Sequence, residues 1–162
     1  MALVLQRLKI DDIAPAESSI PDSVDAFKVY AIVENNTKNR VFDDLCLLGF
    51  KDRADARRAL IKLFKNAENG PPLEKCFDAK QCHPIHEFYY HHSKIKIWRL
   101  WLSGVIRICF IYLPGNRIVV LSLFAKRQDK ITKSQKEELE DLATQLLNNE
   151  KQGMLTTLED KS

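Results

Sequence analysis

The 162-residue sequence predicts an α+β fold built on a small, mainly antiparallel sheet. Three observations carry this. Apolar runs at 95–102, 105–113 and 117–124 follow one another with only Ser103-Gly104 and Pro114-Gly115-Asn116 between them, the punctuation of a C-terminal three-strand meander. Two segments of helical periodicity precede it, and a third follows it. At 45% hydrophobic and 29% charged, the chain suits one globular domain with a real core.

Taken in order, residues 1–26 form an N-terminal arm. Positions 2–10 read as a short strand or helix, and IAPAESSIPDS, with two prolines and three serines, reads as a linker. FKVYAIV at 27–33 is β-branched and aromatic and opens a domain spanning 27–149 as a buried strand. Val41, Leu45 and Leu48 lie at helical spacing before Gly49. A second helix over 52–66 begins at Asp52 as N-cap and places Ala56, Leu60, Leu63 and Phe64 on one face. Asn69-Gly70-Pro71-Pro72 ends it. Residues 73–93 look irregular and are rich in Cys, His and aromatic residues. After the meander, a helix over 133–149 starts at a Ser134/Glu137 capping box with an acidic first turn. It carries Leu139, Leu142, Ala143, Leu146 and Leu147 as its buried stripe, and 150–162 is a polar tail.

Charge is distributed unevenly. Between Lys94 and Lys136 there are ten Lys and Arg against one acidic residue, Asp129, a net of +9 in a chain whose total is +3. Positive charge concentrated on a sheet raises the local potential toward a polyanion, and nucleic acid is the usual one; the alternative is a solvated basic face. No apolar run reaches the ~18 residues of a membrane-spanning helix. The N-terminus has no basic start before its short apolar stretch, which argues against a signal peptide. Cys46, Cys76, Cys82 and Cys109 form no Cys-x-x-Cys pair, so free thiols in a reducing cytoplasm are expected over a disulfide framework.

Strand alternation then assigns the basic residues to faces. Two-residue turns at Ser103-Gly104 and Pro114-Gly115 would pair Leu100 with Arg107 and Arg107 with Ser122. Lys96, Trp98, Arg107, Ser122, Phe124 and Lys126 would then share one face. Ile97, Trp101, Ile106, Ile108 and Phe110 would form an apolar floor with Arg99 as its one charged member. Arg107, alone among apolar neighbours, needs either a carboxylate from the N-terminal half or a phosphate, whose oxygens its planar fork matches. Trp98 is a core residue or a base-stacking platform.

The run Val105-Ile106-Arg107-Ile108-Cys109-Phe110-Ile111-Tyr112 resembles the arginine-bearing strand of the RelE/ParE superfamily of type II toxin–antitoxin toxins, and of its HigB-like, phage-derived branch in particular. Leu123-Phe124-Ala125-Lys126-Arg127 is similar to that family's F-x-K-[KR] motif, and an amphipathic last helix follows, as in the family. The resemblance implies a RelE-like, microbial RNase-like fold and a toxin that cuts mRNA on translating ribosomes, inhibits translation, and is neutralised by a cognate antitoxin. It implies no metal and no cofactor: the RNA 2′-hydroxyl attacks the adjacent phosphate. Carried over by motif, Arg107, Lys126 and Arg127 would be catalytic. Lys96, Trp98, Lys130 and Lys133 would bind RNA. The alternatives are a ParE-like gyrase inhibitor and a catalytically inactive interaction protein.

Ile131, Thr132 and Lys133 stand where relatives carry a proline and a proton-transfer group, so the base must come from elsewhere. Cys76, Cys82, His83, His86, His91 and His92 fall close together. They read as a zinc site, as a loop covering the sheet edge, or as the source of a proton acceptor, His83 or His86.

Overall fold

The structure, a computed structural model, describes residues 3–9, 26–33, 39–126 and 132–158. Its frame is a seven-stranded sheet in the order β3-β4-β5-β6-β2-β1-β7. The strands are β1 (Val4–Leu8), β2 (Lys28–Val33), β3 (Cys82–Tyr90), β4 (Ser93–Leu100), β5 (Ile106–Leu113), β6 (Arg117–Ala125) and β7 (Thr156–Leu158). Four helices accompany them: α1 (Arg40–Cys46), α2 (Phe50–Asn69), the single-turn α3 (Leu73–Cys76) and α4 (Lys133–Lys151).

This corrects the expected fold class. The sheet is not small but seven-stranded, and it is mixed, with β1–β7 and β2–β6 parallel among antiparallel pairs. β1 is the strand that positions 2–10 allowed, with Leu5 fully buried and paired with Ile32. Two further strands are not visible in the sequence pattern. β7 lies in the polar tail and is held by backbone pairing to β1, which needs no apolar side chains. β3 falls in the stretch that looks irregular, because Pro84 and a register shift before His86 break its alternation. Pro84 and the shift both suit an edge strand, where a missing N–H costs nothing.

Both faces of the sheet are covered, which explains the continuous apolar runs of β5 and β6. On one face α1 and α2 bury Val41, Leu45, Ala56, Leu60, Leu63 and Phe64 against Ile106, Ile108, Phe110 and Val120. On the other, α4 lays Leu139, Leu142, Ala143 and Leu146 over Tyr30, Ile97, Ile111 and Val119. No residue of α4 before Leu139 is buried. Its cap is Thr132 with Gln135, not Ser134 with Glu137: Gln135 N donates to Thr132 Oγ1 at 3.1 Å and Thr132 N donates to Gln135 Oε1 at 2.8 Å. The first turn holds no acid.

Where β2 ends, β6 would expose backbone groups, and α1 satisfies them. Leu123 N donates to Asp44 Oδ2 at 2.9 Å and Arg40 Nε donates to Leu121 O at 3.2 Å. Asn39 caps α1 by accepting from Phe42 N at 2.9 Å. Burying Asp44 raises its pKa, an effect partly opposed by the bond from Leu123.

Leu5→Ala should destabilise the protein by about 2–5 kcal/mol, the usual cost of emptying a fully buried leucine site. Urea unfolding would measure it; a loss near zero would mean that the N-terminal segment is an appendage.

Candidate anion-binding site

The β4–β5 register decides which residues share a face. Arg99 pairs with Cys109 and Leu100 with Ile108, one residue out of step with the pairing that a two-residue turn would set. A one-residue slip reverses a strand. Trp98, expected beside Arg107, lies instead on the α2 face, stacked on Phe110 at 6.5 Å and edge-on to Tyr112 at 6.2 Å. Lys96 goes with it, exposed, 5.7 Å from the Trp98 ring and paired across the ladder with Glu87. Arg99 and Trp101 take the place of both. A second shift, between Cys109 and Phe110, pairs Arg107 with Phe124 and Cys109 with Ser122.

The α4 face therefore gathers Arg107 from β5, Arg99 from β4 and His83, which is paired with Arg99, from β3. Lys126 follows the end of β6, its backbone N donating to Val105 O at 2.8 Å, and its charge reaches His83. Arg107 lies over the Trp101 ring, with its guanidinium carbon 4.8 Å from the centroid, and one Nη donates to Ile106 O at 3.3 Å. Arg99 is 8% exposed and donates through Nη2 to Lys80 O, with His83 Nδ1 3.0 Å away.

Neither arginine meets a carboxylate among the described residues, and the buried Nε of each has no hydrogen-bond partner. Burial lowers the pKa of both, and the charge of Arg99 lowers that of Arg107 further. A buried cation with unpaired N–H groups costs about 1–3 kcal/mol for each unmet donor.

His83 is held below the usual histidine range, chiefly by partial burial and then by Arg99 and Lys126, against the opposing bond with Ala79. It is therefore neutral at pH 7. Its Nδ1 lies 3.0 Å from Ala79 O and 3.0 Å from Arg99 Nη2, and can serve only one of them at a time. If Nδ1–H donates to Ala79, Nε2 is an open acceptor. If Nδ1 accepts from Arg99, Nε2 carries the hydrogen.

His86 is engaged elsewhere, 2.8 Å from Glu140 of α4. Alternation along β3 turns Cys82 toward the α2 face and His83 away from it. No three His, Cys, Asp or Glu side chains converge as a metal site among the described residues. Lys133 is exposed in the first turn of α4. Arg127 and Lys130 lie outside the described residues. Of the thiols, Cys82 and Cys109 are buried and free while Cys46 is exposed. Burial pushes Cys82 and Cys109 up to about 12, too high for a thiolate at neutral pH.

No protein-family model, no curated protein and no solved structure matches this chain. No helix among the described residues is long and apolar enough to cross a membrane.

Two residues that matter here, Arg99 and Trp101, were read as part of the apolar floor. The signal for Arg99 was its charge within an apolar run; that for Trp101 was the Ser-Gly loop after it. Trp101 Nε1 donates to Gly104 O at 2.6 Å, which fixes the ring. Gly104 has φ +53°, and a Cβ there would lie 2.4 Å from Asp55 Oδ2, so only glycine fits this loop. Beside the cluster, a cleft of about 410 Å³ opens between β6 and α4, lined by Ser122, Phe124, Arg40, Glu138 and Asp141. Its two carboxylates make it unsuited to phosphate.

Because the folded pKa of His83 is depressed, its neutral form contributes stability above the unfolded value of 6.5, and that contribution is lost as pH falls through the folded value. His83→Gln should therefore flatten the melting temperature against pH below about 6.5; parallel curves for the two proteins would refute the assignment.

Proposed function

We propose that the chain grips the phosphodiester backbone of RNA on the α4 face and cuts it without a metal ion. One observation carries this reading: two adjacent arginines, one almost wholly buried, have no carboxylate among the described residues and share their face with a neutral histidine. A structural salt bridge would have supplied the acid. A guanidinium pair is instead preorganised for phosphate oxygens.

In the reaction, the 2′-hydroxyl oxygen bonds to phosphorus and the P–O5′ bond breaks. The products are a 2′,3′-cyclic phosphate and a 5′-hydroxyl. His83 Nε2 takes the 2′ proton in the tautomer whose Nδ1–H donates to Ala79 O, and water protonates the leaving oxygen. Arg107 and Arg99 stabilise the charge that builds on the phosphorane, usually the largest catalytic term. Lys126 adds backbone attraction that weakens with salt.

The setting proposed for this activity is the cytoplasm, with mRNA on the ribosome as target and a separate antitoxin as inhibitor. The local motifs around Arg107 and Lys126 support that setting; the sheet, being large and mixed, does not. A second reading, RNA binding without cleavage, is favoured by the 3.0 Å contact between Arg99 and His83 Nδ1. In that tautomer His83 donates to the phosphate and accepts no proton.

Arg107→Ala should lower cleavage of single-stranded RNA, measured in EDTA by mapping new 5′-hydroxyl ends, by about 10²–10³-fold while the melting temperature holds. Unchanged cleavage by that variant would overturn the assignment. Tight binding of RNA whose ends stay intact would select the second reading.

A further inference from the structure

We infer that Trp101 is a base-stacking platform which restricts the anion site to unpaired nucleotides; this rests on the RNA reading above and names its substrate class. Three features of the ring point to it. It is 38% exposed, although most large apolar side chains of the sheet are buried. Its orientation is fixed at both ends, by the bond from Nε1 to Gly104 O at 2.6 Å and by the backbone bond from Trp101 N to Gln81 O at 2.7 Å. The Arg107 guanidinium lies 4.8 Å from its centroid, and no other aromatic ring stacks on it among the described residues.

The loop beneath the ring is built to hold it. Asp55, buried at the side of α2, accepts from Ser103 Oγ at 3.4 Å and sits against Gly104, whose carbonyl receives the indole hydrogen. An exposed indole held this rigidly loses little entropy when a flat partner settles on it. A nucleobase is such a partner, and a phosphate bound by Arg107 would bring the attached base within reach. Bases in a duplex are already stacked on their neighbours and cannot take this position. An acidic peptide could meet the arginines but has no flat group for the ring.

The full chain can be titrated with a short single-stranded 2′-O-methyl oligoribonucleotide, which lacks the reactive hydroxyl, with the same strand annealed to its complement, with an abasic strand of equal charge, and with polyglutamate. The single strand should bind best and quench tryptophan fluorescence. Trp98, partly buried on the opposite face, should remain as a second, unaffected emitter. Trp101→Leu should weaken binding of the single strand about tenfold and abolish the quench, with a smaller loss for the abasic strand; Trp101→Phe should restore most of the affinity. Equal affinity of the parent and Trp101→Leu for the single strand would overturn the inference and leave the RNA reading standing. So would duplex binding as tight as that of the single strand. Failure of both the single strand and the abasic strand to bind would remove both readings, as would polyglutamate binding tighter than either.

Discussion

Arg99 and Arg107 face the same way from neighbouring strands, and no acid stands between them among the described residues. That repulsion is the constraint around which this half of the sheet is arranged. Arg99 spends its donors on Lys80 O and His83, while Arg107 spends its charge on the Trp101 ring. These are the acceptors that a sheet can supply without a carboxylate, and they leave an Nε unmet on each residue. A protein under selection for stability alone would gain by removing one of the charges. On the function proposed above, the missing counter-charge would come from a ligand.

The rest of the fold gives this pair a rigid base. α4 buries its stripe only from Leu139 onward, with Phe124 packed beside that stripe. α1 and α2 hold the opposite face, and the side chains of Arg40 and Asp44 close the part of β6 that β2 does not reach. β1 and β7 extend the sheet away from the site and add core without touching the chemistry. Strands position side chains more firmly than loops do, and Arg99, Arg107 and His83 all lie on strands.

In the proposed reaction His83 would link binding to proton transfer, because one nitrogen, Nδ1, is shared between a carbonyl and a guanidinium. Whichever partner takes it sets the state of Nε2. Ala79 is exposed and its carbonyl can turn to water, whereas Arg99 is buried and has few other acceptors. A phosphate that engaged Arg99 would release Nδ1 to Ala79 and turn Nε2 into an acceptor. The same anion that fills the site would thereby prepare its base.

The sequence by itself determined the three longer helices, the buried strand after Phe27, the three meander strands and the concentration of positive charge, because periodicity, turn residues and net charge are local properties. It also pointed to His83 as a source of a proton acceptor. It left β1 open between strand and helix and could not show β3 or β7, since Pro84 breaks the alternation of one and the other is too short and polar to carry a pattern. Tertiary structure alone decided the neighbours of Arg107. A slip of one residue between β4 and β5 sent Trp98 into the core and brought Arg99 and Trp101 alongside, and the shift at Cys109 set Phe124 opposite. Side chains alternate with a period of two, so register decides every face, and register is settled by packing on both sides of the sheet rather than by the turn residues between two strands.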